Sequence, residues 1–110
     1  MNSSYYFSPN LLAEAKAPEK GILSQTLHND DQIKVVLFHF APGNELSAHT
    51  APMPATMYFL SGKGRLTLGP DTMPVTAGAF AHMTPNLSHA IVAEEPLVML
   101  LVMVKGLRSA

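Results

Sequence analysis

The stretch PGNELSAHTAPMPATMYFLSG, residues 42–62, carries the pattern that decides the fold. It opens with a Pro-Gly turn, continues through a polar segment that ends at His49, bends at two prolines, and finishes in the apolar run Met57–Ser61 before a glycine. Short runs of apolar and aromatic residues bounded by turn residues are typical of β-strands. The stretch therefore predicts β-structure with one histidine beside a proline corner.

The same alternation of short apolar runs and turns recurs on both sides of this stretch. Turn signals about every 8–12 residues favour an all-β sandwich or barrel. The N-terminal arm, residues 1–21, differs in containing a short helix-capable piece at residues 11–17 that ends before Pro18. The predicted strands are Ile22–His28, Ile33–Phe40, Met57–Ser61, Arg65–Leu68, Met73–Thr76, Ala79–Met83, His89–Ala93 and Leu97–Val104.

A second stretch, AGAFAHMTPNLSHAIVA at residues 77–93, has a layout related to the first, with a glycine, a Thr-Pro-Asn turn and a histidine at fixed intervals. Together the two stretches resemble the two sequence motifs of the cupin superfamily, in particular its small single-domain bacterial-type members with an RmlC-like jelly roll. The aligned positions are Gly43, His49, Ala51, Ala55 and Gly62 in the first motif, and Gly78, Thr84, Asn86, His89 and Ala93 in the second.

The resemblance covers about residues 33–104 of a chain that we expect to form one cupin domain, residues 1–110. It implies an all-β fold, the double-stranded β-helix or cupin jelly-roll barrel of two antiparallel sheets. A short helical or irregular segment would precede the barrel at the N-terminus.

The resemblance also implies a role for the motif histidines, and the chain departs from the motif there. In cupins that keep the full motif, three histidines and one glutamate surround a divalent metal ion. Here Ala51 replaces the second histidine and Ala55 replaces the glutamate. His49 and His89 alone supply no carboxylate to offset the charge, so we expect iron, nickel, manganese or zinc to be held only weakly. His82 is the best candidate for a third metal ligand, since strand bulges leave its face undetermined.

A barrel with this incomplete metal-binding motif would still enclose a cavity with two histidines. Residues two apart on a strand face the same side, so Met57 and Phe59 share one inward face, and Ile91 shares the face of His89. An apolar pocket with two polar groups is typical of a small-molecule site. We therefore expect these residues and His49 to bind a small ligand, with plain core packing as the alternative for the three apolar side chains. Met83, Met99 and Met103 are further candidates for the lining.

Three functions follow from these residues. The first is binding of a small molecule in a largely apolar cavity near His49 and His89. The second is a metal-dependent cupin enzyme of the dioxygenase or isomerase type, with His49, His89 and a substitute ligand such as His82. The third is a structural or regulatory dimer without a ligand. The residues do not decide whether the chain is an enzyme, and they identify no catalytic residue.

Composition narrows the range of partners. The chain has 7 basic and 8 acidic residues, a formal net charge of −1, and thus no basic surface for nucleic acid. It has no cysteine, which excludes a disulfide framework and a thiolate zinc site. It has neither an apolar run of ~20 residues for a membrane helix nor the pattern of a signal peptide. We expect a cytoplasmic protein without a membrane partner.

The last predicted strand, LVMLLVMV at Leu97–Val104, is apolar at every position. A strand with one solvated face should instead alternate between apolar and polar residues. Continuous apolarity predicts that both faces of this strand are covered, one by the core and the other by a second subunit. We therefore expect a homodimer.

Overall fold

The computed structural model describes residues 4–105 and confirms the all-β fold. Residues 1–3 of the predicted N-terminal arm lie outside the described residues. The strands are β1 (Ile22–Asn29), β2 (Ile33–Phe40), β3 (Glu45–His49), β4 (Ala55–Ser61), β5 (Lys63–Leu68), β6 (Asp71–Thr76), β7 (Phe80–Met83), β8 (His89–Ala93) and β9 (Leu97–Val104). They form two antiparallel sheets, ordered β1-β2-β9-β4-β7 and β3-β8-β5-β6. The two sheets face each other across one core.

The N-terminal arm lies against β1, the edge strand of the five-stranded sheet. Its helical part is a single 3₁₀ turn, Leu11–Glu14, shorter than the predicted piece because the backbone is already extended at Ala15. The Gln25 side chain of β1 ties the arm down, donating to the carbonyl oxygen of Glu14 at 3.0 Å and accepting from the amide of Lys16 at 2.9 Å. Within residues 4–105, no helix is long and apolar enough to cross a membrane.

The core is filled by alternate side chains of both sheets. On β4, Met57 and Phe59 are almost fully buried, whereas Tyr58 between them is exposed. The register pairs Met57 with Leu101 and Phe59 with Met99 of β9, so the inward side chains of the two strands form one layer. The buried core comprises Phe40, Ala55, Met57, Phe59, Leu66, Val75, Met83, Ile91, Ala93, Leu97 and Met99.

Four of the motif positions, Gly43, Gly62, Gly78 and Asn86, lie in turns or bends and have a positive φ angle. Gly62, where the chain passes from one sheet to the other, has a φ of +96°, and a Cβ atom there would overlap the carbonyl oxygen of Pro96. Asn86, at a glycine position of the second motif, has a φ of +69°. Asparagine tolerates this left-handed region better than most residues. The turn geometry of the motif is therefore kept although the glycine is not.

Strand β9 lies in the middle of the five-stranded sheet, between β2 and β4. Leu97 and Met99 face the core and are buried. On the opposite face Val98 is also buried, whereas Leu100 and Val102 are half-buried. On the inner face Leu101 and Met103 are half-buried as well, so a single chain buries both faces of β9 only at residues 97–99.

Candidate functional site

A β-bulge brings the two motif histidines together. In the β3–β8 register, Leu46 pairs with Ile91 and His49 pairs with His89. Three steps along β3 thus match two steps along β8, so β3 contains one extra residue between Leu46 and His49. Simple alternation would turn the side chains of Leu46 and His49 to opposite faces. The bulge turns both to the inside of the barrel.

The two imidazole rings are held in defined tautomers. Their centroids lie 4.2 Å apart with 58° between the planes. The Nδ1 atom of His49 lies 2.9 Å from the carbonyl oxygen of Ser47, and that of His89 lies 2.9 Å from the carbonyl oxygen of Leu87. A carbonyl oxygen only accepts hydrogen bonds, so Nδ1 must be the donor in both rings. In the neutral rings each Nε2 atom therefore keeps its lone pair.

The histidines stand at one end of a small cavity. Its volume is about 60 Å³, whereas one water molecule needs about 10–15 Å³. His89 is 7% exposed and forms part of the buried interior, while His49 is exposed and borders the opening. Thr84 is the remaining lining residue with a polar side chain. The apolar wall comprises Ala51, Met53, Ala55, Met83, Leu87, Leu101 and Met103.

The two alanines that replace metal ligands both face this cavity. Ala55 on β4 has two cross-strand partners, Met83 on β7 and Met103 on β9. Side chains directly opposite each other on neighbouring strands are in contact range. The position of the family's glutamate is therefore an alanine with a methionine on either side.

The structure places three of the predicted ligand-binding residues elsewhere. Met57, Phe59 and Ile91 face inward, as alternation predicts, but they are at most 1% exposed and belong to the core. None of them lines the cavity beside the histidines. Alternation fixes the face of a residue but not its depth in the barrel, so the alternative interpretation, core packing, holds for them. The same is true of Met99.

His82 is not brought to the other two histidines. It pairs with Thr56 in the β4–β7 register, and its Nδ1 atom lies 3.2 Å from the Thr56 hydroxyl oxygen. Its neighbour Met83 faces the core, so His82 lies on the outer face of the sheet. His39 likewise lies on the outer face of β2, where its buried Nδ1 atom has no partner among the described residues.

The divalent metal site of the full cupin motif does not fit this cavity. Within residues 4–105, no three histidine or carboxylate side chains are grouped so that they could hold a metal ion. Among the described residues, the cavity lining contains two imidazoles and no carboxylate. An ion such as Zn²⁺ or Fe²⁺ would therefore keep its charge uncompensated in an apolar wall.

Sequence reasoning missed four lining residues, Met53, Thr84, Leu87 and Leu101. Met53 and Thr84 lie in the segments that follow β3 and β7, where alternation gives no guidance. A backbone hydrogen bond of 2.7 Å from the Asn86 amide to the Ala51 carbonyl joins these two segments at the rim. The motif alignment, which includes Ala51 and Thr84, was the signal that could have found this part of the lining.

Comparison with solved structures gives the same fold. A conserved protein of unknown function from Streptococcus pyogenes matches with a TM-score of 0.82 and 29% identity, over 100% of this chain and 95% of that one. A cupin 2 conserved barrel domain protein from Leptotrichia buccalis matches with a TM-score of 0.81 and 31% identity, over 87% of this chain and 47% of that one. A cupin superfamily protein from Desulfitobacterium hafniense matches with a TM-score of 0.81 and 22% identity, covering 86% and 87%.

The part of the chain that matches a known family includes both motifs. No curated protein matches the chain. The family model for the cupin domain matches residues 36–104, which contain β3, β8 and the whole cavity lining. The chain therefore belongs to the cupin family.

Proposed function

We propose that this cupin barrel binds a small neutral molecule that enters the cavity and donates hydrogen bonds to His49 and His89. The observation that carries the proposal is the pair of bonds from Nδ1 to the carbonyl oxygens of Ser47 and Leu87. Because both Nδ1 atoms are committed as donors, both Nε2 atoms are free acceptors. A ligand with O–H or N–H groups matches this pair.

The cavity limits the size and charge of the ligand. A volume of about 60 Å³ is well below the roughly 300–1,000 Å³ of sites for drug-sized molecules. The part that enters is therefore a few atoms in size, and the remainder would extend past the exposed His49 ring. The lone pairs on Nε2 repel a carboxylate or phosphate, so alcohols, amides and azoles with a short apolar part fit better than anions.

Ligand-observed NMR on a library of small neutral donors and matched carboxylates tests this function. We expect neutral donors to bind the wild type, and to lose binding in His89→Asn. Asparagine can still donate to the Leu87 carbonyl oxygen, but it does not reach the position of Nε2. His82→Asn is the matched control on the outer face and should bind like the wild type. Preference for carboxylates, or unchanged binding to His89→Asn, would overturn the proposal.

We also propose that a second copy of this chain covers the outer face of the five-stranded sheet. Tyr58 and Phe80 are cross-strand partners there and are 44% and 67% exposed. Leu100, the other neighbour of Tyr58, is half-buried. A two-fold axis sets such an uncharged apolar patch against itself, so no charge complementarity is needed.

Light scattering after size-exclusion chromatography tests the dimer. Tyr58→Lys should shift the wild-type dimer to a monomer, because a lysine would meet its own copy across the axis. Thr76→Lys, an exposed residue on the other sheet, adds the same charge and should leave the dimer intact. A monomeric wild type contradicts the proposal.

A further inference from the structure

The cavity wall contains three methionines, and the family motif assigns no role to them. Met53, Met83 and Met103 line the cavity together with His49 and His89. Met83 is buried and Met103 is half-buried, and both are cross-strand partners of Ala55. Two thioether side chains thus flank the place where the family motif has a carboxylate.

Imidazole nitrogen and thioether sulfur are uncharged donors, and thioether is a soft one. Soft sulfur ligands select Cu(I), whereas carboxylate and water suit hard divalent ions. The charge of the ion also favours Cu(I) over a divalent metal, because the free-energy cost of moving an ion out of water grows with the square of its charge. Because the described residues contribute no carboxylate to the lining, a monovalent ion meets a much smaller desolvation penalty than a divalent one.

His49 and His89 already make the hydrogen bond that fixes the ring of a metal-bound imidazole. A metal-bound imidazole usually donates its second nitrogen to a carbonyl or carboxylate, which fixes the ring and its tautomer. Both rings here have this arrangement through the Ser47 and Leu87 carbonyl oxygens. The two rings are neighbours, with centroids 4.2 Å apart, and a shared ion would lie ~2 Å from each Nε2 atom, the length of a metal–imidazole bond.

We propose that the cavity binds one Cu(I) ion through Nε2 of His49, Nε2 of His89 and the thioether sulfurs of Met83 and Met103. Met53 also borders the cavity, but unlike Met83 and Met103 it is not a cross-strand partner of Ala55. The site goes beyond the proposed small-molecule function, because its occupant is an ion. The ion and the organic ligand would compete for the two Nε2 atoms.

Titration of the full-length protein with Cu(I), under anaerobic reducing conditions and in competition with a colorimetric Cu(I) chelator, tests the site. We expect one equivalent to bind to the wild type, and Zn²⁺ not to displace it. Met83→Leu and Met103→Leu should each weaken binding by roughly 10- to 100-fold, the range in which even supporting residues act at metal sites. Met73→Leu, on β6 and outside the cavity lining, is the matched control and should leave the affinity unchanged.

Methionine-to-leucine changes remove the sulfur but nearly conserve the side-chain volume. They therefore distinguish Cu(I) binding from the binding of a small organic ligand. Both variants should still bind neutral organic ligands, whereas His89→Asn should lose both kinds of occupant. Ag⁺, which is soft and redox-inert, gives a second readout. In protein labelled with ¹³C at the methionine methyl groups, the Met83 and Met103 signals should shift on addition of Ag⁺. Unchanged Cu(I) affinity in the Met83→Leu/Met103→Leu variant, or tighter binding of Zn²⁺ than of Cu(I), would overturn the site.

Discussion

His49 and His89 are direct cross-strand partners, and their rings lie 4.2 Å apart because a β-bulge in β3 accommodates the extra residue before His49. The bulge is a local feature of an edge strand, since β3 pairs with β8 alone in the sheet order. Four of its five residues are exposed. The site therefore depends on a segment that contributes little to the core, so the site can be altered without disrupting the core.

Deletion of Ala48 should remove the bulge and leave the site intact. With one residue fewer, His49 lies two residues after Leu46, so simple alternation directs both side chains inward and keeps His49 opposite His89. Because β3 is a mostly exposed edge strand, we expect the free energy of unfolding to fall by only about 1–2 kcal/mol. The measurement is the nuclear Overhauser effect between the two histidine rings, which should persist.

Ala48→Gly is the control for this deletion, because it removes the methyl group and keeps the residue count. It should retain the contact between the rings. Loss of the ring contact in the deletion variant alone would show that the extra residue is required to place His49.

Restoring the motif should create a divalent metal site. Ala51 and Ala55 both line the cavity beside the histidines, so Ala51→His/Ala55→Glu would supply the two absent ligands. Without metal, the added volume at buried Ala55 should cost about 1–3 kcal/mol. With zinc or nickel at 100 times the dissociation constant, binding should return about 2.7 kcal/mol. Elemental analysis and thermal unfolding with and without metal measure both effects.

The control for the restored site adds the same residue types outside the cavity. In Ala48→His/Thr56→Glu the new side chains replace an exposed residue and one on the outer face. Equal metal binding by this variant would mean that added histidine and glutamate suffice anywhere on the surface.

Most of the fold could be predicted from the sequence, because the residue patterns of strands and turns are local. The turns at Gly62 and Asn86 need a positive φ angle, and glycine or asparagine marks such positions directly. Strand β3 was not predicted as a strand, because Glu45–His49 contains no β-branched or aromatic residue apart from His49 at its end.

The site was harder to predict because it depends on register and depth. The bulge before His49 breaks the alternation on which face assignments rest, and the face of His82 depends on its pairing with Thr56. Met57 and Met103 both face inward, yet the first lies in the core and the second borders the cavity. Nothing in a single strand's pattern distinguishes these two depths.

Gly62→Ala should be among the most damaging single-methyl additions. Its φ of +96° is costly for alanine, and the new Cβ would overlap the Pro96 carbonyl oxygen. Gly78, with a φ of +97° and no atom within 4 Å of the place a Cβ would take, is the matched control. Gly78→Ala should lower the free energy of unfolding only through the strain of its positive φ angle, by about 1–2 kcal/mol. Urea unfolding should show a clearly larger loss for Gly62→Ala, and equal losses would mean that the Pro96 contact relaxes freely.

The turn between β1 and β2 should lose stability in acid through Asp30. The Asp30 carboxylate accepts a hydrogen bond of 2.7 Å from Nε2 of His28 and further bonds from the amides of Ile33 and Gln32. These bonds, that from His28 first, lower the pKa of Asp30 from 3.8 to about 2. A lowered carboxyl pKa stabilises the folded state fully above the unfolded value, and this stabilisation is lost as the pH falls toward the folded value.

Asp30→Asn should therefore reduce the free energy of unfolding near neutral pH. The difference from the wild type should shrink between pH 3.8 and about 2, the interval set by the two pKa values. Because the carboxylate is exposed, salt should weaken the effect. Urea unfolding across this pH range measures it, with Asp31→Asn as the control that changes the net charge equally. A difference between Asp30→Asn and wild type that stays constant down to pH 2 would mean that the carboxylate's hydrogen bonds do not contribute to stability.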